Sequence, residues 1–242
     1  MIQHDYKHYI SILLMIIFSI LIIFVSSNGI FNSVNSFILF SCMFMGLFIH
    51  WIAFIPSFIY RTEKFYDLTG TIVYLVTFFI ASYLVSLNIE GSFSPRSLII
   101  ILLIIIWTIR LGLFLFIRVL RVGEDKRFIE IKKSFSNFLM VFTMSAFWVF
   151  FTSINALTMI INNCSILIDP YFCVGLFLWI IGFAIEVIAD NQKRAFRLNI
   201  ENSDFFISSG LWNVCRHPNY LGEILLWFGI SIITYPTLKG WQ

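Results

Sequence analysis

Charge is what this sequence has least of. Only 12% of its 242 residues are Asp, Glu, Lys or Arg, whereas a soluble domain carries about 25%. Long runs contain no charge at all, among them residues 10–28, 97–108 and 135–168. About 20 apolar residues are enough to cross the hydrocarbon core of a bilayer. The shortage of charge therefore excludes a soluble domain and predicts an integral membrane protein.

The sequence also lacks the motifs that bind metals or nucleotides in soluble proteins. Its four cysteines, at positions 42, 164, 173 and 215, include no C-x-x-C pair, so we expect neither a disulfide framework nor a metal site. Without G-x-G-x-x-G or G-x-x-x-x-G-K-[ST], a Rossmann fingerprint and a Walker loop are excluded. A net charge of +3 is too small to indicate a nucleic-acid partner.

What the sequence has instead is a series of apolar stretches. Seven spans are predicted, at about 9–27, 34–59, 69–87, 97–118, 137–161, 171–189 and 219–236. They are expected to be helices, because a spanning segment must satisfy its own backbone hydrogen bonds. The first lacks the basic start and the cleavage site of a signal peptide. The sequence thus predicts an all-α, polytopic transmembrane bundle of about seven helices, with residues 1–242 as a single membrane domain.

The few basic residues orient this bundle. They concentrate in the predicted loops 119–136 and 190–217, whereas the intervening loop 162–170 has none. Cytoplasmic loops carry the excess of Lys and Arg, so the N-terminus is predicted to be cytoplasmic. We expect a multi-pass protein of a bacterial inner membrane or the endoplasmic reticulum, with membrane lipids as partners and its active face in the cytoplasm.

Charges at membrane depth are candidates for function because they are costly there. Arg110 lies inside span four, where it either snorkels to the surface or lines a pocket. Glu186, Asp190, Lys193 and Arg197 fall at i, i+4, i+7 and i+11, a spacing that places them on one face of a helix. That row is either a set of salt bridges on a solvated helix end or part of a site.

The segment around residue 218 combines a helix start with charge. Pro218 suits the first position of a helix, and Arg216 and His217 precede it. The N-terminus of a helix favours anions such as phosphate, although a plain basic flank would have the same sequence. Glu223 follows at membrane depth, where a carboxylate needs a donor or a cation.

Three other polar residues are expected to have structural roles. His50 lies in span two, where a core histidine with satisfied hydrogen bonds is more common than a ligand. Glu63 and Asp67 share a short loop with Arg61 and Lys64, and they are expected to pair with those charges.

Four passages resemble the steroid 5α-reductase superfamily, and in particular its branch of uncharacterised membrane reductase-like proteins. They are RTEKFYDLTG at 61–70, WTIRLGLFLFIRVLRVGEDKRF at 107–128, ADNQKRAFR at 189–197 and GLWNVCRHPNYLGE at 210–223. The likeness extends over about residues 57–235, which are identified as a reductase-like region.

The resemblance implies a helical bundle that holds NADPH at its cytoplasmic face and reduces a conjugated double bond in a lipophilic substrate entering from the bilayer. It implies catalytic roles for Tyr220 and Glu223. The residues that it implies for cofactor binding, together with the basic flank of span seven, are Arg110, Asp125, Arg127, Asp190, Lys193, Arg197, Arg216, His217, Asn219, Tyr220 and Glu223.

Two alternatives stay open on the same residues. Isoprenylcysteine and phospholipid methyltransferases, which use S-adenosylmethionine, share the R-H-P-x-Y-x-G pattern of residues 216–222. An inactive membrane scaffold is the other alternative. Members of the superfamily continue for several dozen residues after the equivalent of Tyr235, whereas this sequence ends at Gln242. The resemblance therefore implies a site that is either truncated or completed differently.

Overall fold

The computed structural model describes residues 2–88, 92–122, 125, 127–164, 166, 168–202 and 205–242. In that part of the chain the regular structure is helical, and no strand is present. The α-helices are α1 (Ile2–Ser26), α2 (Val34–Ile59), α3 (Tyr66–Ser86), α4 (Pro95–Val122), α5 (Phe128–Ile131), α6 (Phe135–Asn162), α7 (Pro170–Leu198), α8 (Leu211–Val214) and α9 (Pro218–Thr234). The prediction of an all-α polytopic bundle is confirmed.

Every predicted span coincides with a helix. Six helices in the described chain, α1, α2, α3, α4, α6 and α7, are long and apolar enough to cross a membrane. The seventh predicted span is α9, whose 17 residues lie at the short end of the range for a spanning helix. The protein is therefore an integral membrane protein. Helix α7 runs well beyond its predicted end at residue 189, so Asp190, Lys193 and Arg197 lie on one continuous helix.

Helix starts follow ordinary capping chemistry. Ser33 caps α2 by accepting from the backbone N–H of Ser36, and Ser134 caps α6 in the same way. Asp169 caps α7 by accepting from Phe172 N–H at 2.7 Å, and Pro170 follows at the first turn. These side chains satisfy N–H groups that a helix leaves without internal partners.

The chain divides into two compact units, and the first contains Met1–Ser165 together with Leu238–Gln242. Helix α6 packs against α1, α2 and α3. One apolar cluster joins Phe54 of α2, Phe128 of α5 and Phe138, Val141 and Phe142 of α6. Edge-to-face contacts such as Phe138–Phe142, with centroids 5.1 Å apart, are the favoured geometry for aromatic pairs.

The second unit, Ile166–Thr237, is built on a close pairing of α7 and α9. Gly182 of α7 faces Gly222 of α9, and a Cβ added to either would lie within 2.6 Å of the backbone of the other helix. Gly175 and Gly229 meet in the same way, seven residues earlier on α7 and seven residues later on α9. Small residues of this kind let membrane helices approach backbone to backbone. The grouping of residues 1–242 into a single domain stays a prediction.

Candidate functional site

The glycine contact between α7 and α9 brings acidic residues of both helices together. A Cβ placed on Gly222 would lie 2.9 Å from the Cβ of Glu186, and Glu223 is the next residue of α9. Glu186 and Asp190 are both buried, one turn apart on α7. The charge of Asp190 acts on the carboxyl of Glu223, so the two acids lie within electrostatic range of each other.

Helix α8 docks against the C-terminal end of α7. The Gln192 side-chain oxygen accepts from Leu211 N–H at 3.0 Å, and the Trp212 indole N–H donates to the Ala189 carbonyl at 3.0 Å. The Lys193 ammonium lies 5.0 Å from the centre of the Trp212 ring. Gly210, with φ +61°, precedes α8, and a Cβ there would collide with Gln192. This glycine is therefore required for the docking.

The start of α9 places the remaining predicted residues of this unit beside one another. Pro218 is at the first turn, as the sequence predicts. Arg216 and His217 before it are exposed, and the His217 ring stacks on Tyr220 with centroids 5.3 Å apart. The Asn219 side-chain oxygen is buried and has no hydrogen-bond partner in the described chain. Such an acceptor is costly to bury unless a ligand donates to it.

Arg197 lies closer to the C-terminal end of α7 than the other predicted residues of this helix. Seven residues separate it from Asp190, about 10 Å along a helix at 1.5 Å per residue. Its guanidinium donates to the Asn202 carbonyl at 3.1 Å, which ties the end of α7 to the following 3₁₀ turn, Ile200–Asn202. The side chain is exposed, so a charged group from solvent can reach it.

The other predicted residues lie in the first unit. The Arg127 guanidinium contacts both carboxylate oxygens of Asp125, with the shortest N–O distance 2.6 Å. The bonds from Arg127 outweigh partial burial and hold the pKa of the Asp125 carboxyl below its usual value. Arg110 is half-buried on α4, and its guanidinium carbon lies 5.4 Å from the centre of the Phe114 ring.

The expected pairing within the loop at residues 60–67 is wrong. Glu63 is 5% exposed and pairs instead with Lys132, at 2.9 Å. Asp67 pairs with Arg118 of α4, at 3.4 Å. Helix packing brings Lys132 and Arg118 to these carboxylates, although both cations are distant in sequence. No local sequence signal predicts this pairing.

His50 has the structural surroundings that the sequence predicts. Its Nδ1 lies 2.8 Å from the Gly46 carbonyl and its Nε2 lies 3.0 Å from the Ser145 hydroxyl. Among the described residues, no three His, Cys, Asp or Glu side chains are grouped as metal ligands would be.

Comparison with known proteins gives a family match over most of the chain. Residues 51–242 match the model of a family described as "Protein of unknown function (DUF1295)". No solved structure matches the chain.

Curated relatives are similar over a shorter stretch. The 3-oxo-5-alpha-steroid 4-dehydrogenase 1 of Bos taurus is 32% identical over 73 residues, which are 30% of this chain and 28% of that protein. The 3-oxo-5-alpha-steroid 4-dehydrogenase 2 of Macaca fascicularis is 33% identical over 67 residues, 28% of this chain and 26% of that protein. The chain thus spans little more than a quarter of the length of these relatives. The family match, together with these relatives, places the chain in the DUF1295 family, within the steroid 5α-reductase superfamily.

Proposed function

We propose that this protein is a membrane-embedded reductase that uses NADPH to reduce a conjugated double bond in a lipophilic, steroid-like or lipid-like substrate. Membership of the DUF1295 family and the names of the curated relatives support an oxidoreductase. The substrate is proposed to enter from the bilayer. A site in an integral membrane protein can receive an apolar molecule directly from the surrounding lipid.

The observation that carries the proposal is the polar cluster where α7 ends and α9 begins. Backbone contact at Gly182 and Gly222 fixes the two helices, with Glu186 against Gly222 and Asp190 one turn further along α7. Exposed basic residues follow within the same unit, and they are Lys193, Arg197 and Arg216. Acids, an amide and cations at these two helix ends suit a ligand that is anionic at one end and a hydrogen-bond donor at the other.

NADPH fits this description. Arg197, Arg216 and the N–H groups at the start of α9 would hold its phosphates, because arginine and helix N-termini both favour such anions. The nicotinamide carboxamide carries two N–H donors, and carboxylates and amide oxygens are their natural acceptors. The buried, unpartnered oxygen of Asn219 and the carboxyl of Glu223 would take that part of the cofactor.

The residues of the site must also position the reactants and supply a proton to the substrate. NADPH, when bound, supplies the hydride that adds to the β-carbon of the double bond. Reduction is complete when a proton reaches the α-carbon, and Tyr220 has a hydroxyl that can hold one at the start of α9. Stacking of Tyr220 on His217 restricts the ring, and Glu223 one turn further along anchors the cofactor end of the site.

Titration of the purified protein in detergent with NADPH, followed by nucleotide fluorescence, tests the proposal. We expect saturable binding that weakens at least about 10-fold in Glu223→Gln and in Arg197→Ala, since charge-assisted hydrogen bonds contribute about 1.5–3 kcal/mol. Glu201→Gln, which removes an exposed carboxylate near the end of α7, is the control and should bind normally. Binding of S-adenosylmethionine without NADPH would overturn the proposal in favour of a methyltransferase, and binding of neither would favour a scaffold.

A further inference from the structure

Two exposed basic side chains of the first unit take no part in the proposed function. Lys64 lies just before α3, and Arg121 lies in the last turn of α4. Within the described chain neither side chain forms an ion pair or a hydrogen bond, whereas the nearby Arg118 and Lys132 have acidic partners. Lys64 and Arg121 can therefore bind an anion from outside the chain.

Antiparallel packing of α3 and α4 fixes where these two residues lie. The rings of Tyr74 and Trp107 meet edge to face, with centroids 5.2 Å apart. Nearer the start of α3 and the end of α4, the Arg118 guanidinium lies 3.4 Å from the Asp67 carboxylate. Residue numbers therefore fall along α3 as they rise along α4.

The next step in this register brings Lys64 and Arg121 side by side. Lys64 precedes Asp67 by three residues, and Arg121 follows Arg118 by three. Because the helices are antiparallel, both steps lead in the same direction beyond the ion pair, and each covers about one helical turn. Two like charges this close repel each other, and an anion between them replaces the repulsion with attraction.

The neighbouring acids do not neutralise these two cations. Asp67 is bound to Arg118 at 3.4 Å, and the buried Glu63 is bound to Lys132 at 2.9 Å. Both carboxylates are thus matched by other basic residues, and the two exposed cations keep an excess of positive charge at this surface.

Apolar side chains are exposed next to the cations. Phe65, which follows Lys64, is 48% exposed, and Leu120, which precedes Arg121, is 62% exposed. Ile117 is exposed about one turn earlier on α4. Basic residues just beyond the ends of membrane helices lie at the level of the lipid headgroups. Cations beside exposed apolar side chains fit an amphiphile with an anionic head, whereas a soluble anion requires no apolar surface.

We propose that Lys64 and Arg121 bind the phosphate of an anionic phospholipid whose acyl chains lie against Phe65, Ile117 and Leu120. The site belongs to the first unit alone, and it requires neither NADPH nor the residues proposed to bind it. Anionic lipids attract basic residues at the membrane surface, and phosphate oxygens accept hydrogen bonds from both Lys and Arg. Phosphatidylcholine carries its own cation, so we expect the site to select an anionic lipid such as phosphatidylglycerol.

Binding of pyrene-labelled phosphatidylglycerol to the full-length protein in phosphatidylcholine–detergent micelles tests the proposal, with energy transfer from tryptophan to pyrene as the signal. We expect saturable binding that weakens about fivefold in Lys64→Gln or Arg121→Gln and at least about 10-fold in the double variant. Because both side chains are exposed, all three variants should keep the melting temperature of the unmutated protein, which is measured on the same samples.

Lys133→Gln is the matched control. Lys133 is an exposed lysine of the same unit, but it is paired with Glu130 at 2.6 Å, so its loss should change lipid binding less than about twofold. An equal loss in Lys133→Gln and in Lys64→Gln would indicate general attraction to a basic surface and would overturn the proposal.

Two further titrations identify the source of the phosphate. Pyrene-labelled phosphatidylcholine should show no saturable binding, and excess inorganic phosphate should displace no more phosphatidylglycerol than sodium chloride of the same ionic strength. Equal binding of the two lipids would mean that apolar contact alone holds them, and specific displacement by phosphate would mean a site for a soluble anion. Either result, or the absence of saturable phosphatidylglycerol binding, overturns the proposal. None of these measurements involves NADPH, so this proposal and the proposed function can fail separately.

Discussion

Single residues in the membrane part of this protein show how hydrogen bonding decides whether a polar group is structural. The Gly46 carbonyl can only accept, so His50 Nδ1 donates to it, and Nε2 lies within hydrogen-bond distance of the Ser145 hydroxyl. Both ring nitrogens are satisfied, and the imidazole joins α2 to α6. His217 is the opposite case, since it is exposed and has no capping hydrogen bond at the start of α9.

This contrast predicts opposite results for two histidine substitutions. His50→Leu should lower stability by about 1–3 kcal/mol, because the Ser145 hydroxyl loses its partner in an apolar setting, and NADPH binding should be unchanged. His217→Ala should leave stability within about 0.5 kcal/mol and weaken NADPH binding. Thermal unfolding and nucleotide titration of both variants check the pair. A loss of binding in His50→Leu at unchanged stability would contradict the structural role.

The ionisation of Glu63 gives a prediction about pH. Burial alone would raise the pKa of Glu63, but hydrogen bonds from Lys132 and from the Asp125 N–H outweigh it, and the pKa falls below its usual value. A carboxyl with a lowered pKa in the folded state stabilises the fold fully above its unfolded pKa, about 4.3 for Glu, and this contribution is lost as the pH falls through the folded value.

The melting temperatures of the unmutated protein and Glu63→Gln should therefore differ most between about pH 6 and 7 and converge below about pH 4. Melting curves in detergent over that range measure the difference. Glu130→Gln should follow the unmutated protein at every pH. Glu130 forms an exposed ion pair with Lys133, and a pair of this kind adds little to stability. A constant gap between Glu63→Gln and the unmutated protein would show that the charge of Glu63 is not what stabilises the fold.

At the scale of elements, the pairing of α7 with α9 depends on glycines that are seven residues apart on each helix. Gly175 and Gly182 of α7 meet Gly229 and Gly222 of α9 in antiparallel order. A repeat of seven keeps small residues on one side of a helix. The predicted site depends on this contact, because Glu186, Asp190 and Glu223 are adjacent to it.

Alanine at these glycines should destabilise the second unit. A Cβ at Gly182 would lie 2.5 Å from the Leu226 nitrogen and one at Gly222 would lie 2.6 Å from the Glu186 nitrogen, so the helices must move apart. We expect Gly182→Ala and Gly222→Ala each to cost about 1–3 kcal/mol and to weaken NADPH binding. Melting in detergent and nucleotide titration measure both effects.

Gly70→Ala is the matched control for this pair. A Cβ at Gly70, inside α3, would make an ordinary contact 3.6 Å from the Ser145 hydroxyl. Because alanine favours a helix over glycine by about 1 kcal/mol, this variant should be neutral or more stable. If all three variants behave alike, close approach of α7 and α9 is not the cause of the loss.

The positions of the elements could be predicted from the sequence, whereas the long-range polar contacts could not. Hydropathy locates the spans because a membrane requires long apolar helices, and the proline at 218 marks the start of α9 because its chemistry is local. The pairing of Glu63 with Lys132 depends on how α5 folds back, over 69 residues of separation. The seven-residue spacing of the glycines at 175 and 182 and at 222 and 229 is a local signal from which the contact between α7 and α9 could have been predicted.

At the scale of the whole molecule, the distribution of charge gives the protein a predicted direction in the membrane. The proposed cofactor residues at the end of α7, the start of α9 and the segment around Arg127 all fall in loops that the positive-inside rule places in the cytoplasm. NADPH does not cross a bilayer unaided because it is multiply charged, so its site must face the compartment that contains it. Orientation and proposed function therefore depend on each other.

Two native cysteines provide a test of this orientation. Cys164 follows α6 and Cys215 precedes α9, both are partly buried, and α7 is the one predicted span between them. Single-cysteine variants that keep one of the two should react with a membrane-impermeant maleimide from opposite sides. We expect Cys215 to be labelled in inside-out vesicles and Cys164 in right-side-out vesicles. Because their exposure is similar, a difference between the vesicle types reports sidedness and not reactivity. Labelling of both from one side would mean that α7 does not cross the membrane, and the reverse pattern would place the proposed NADPH site on the face away from the cytoplasm.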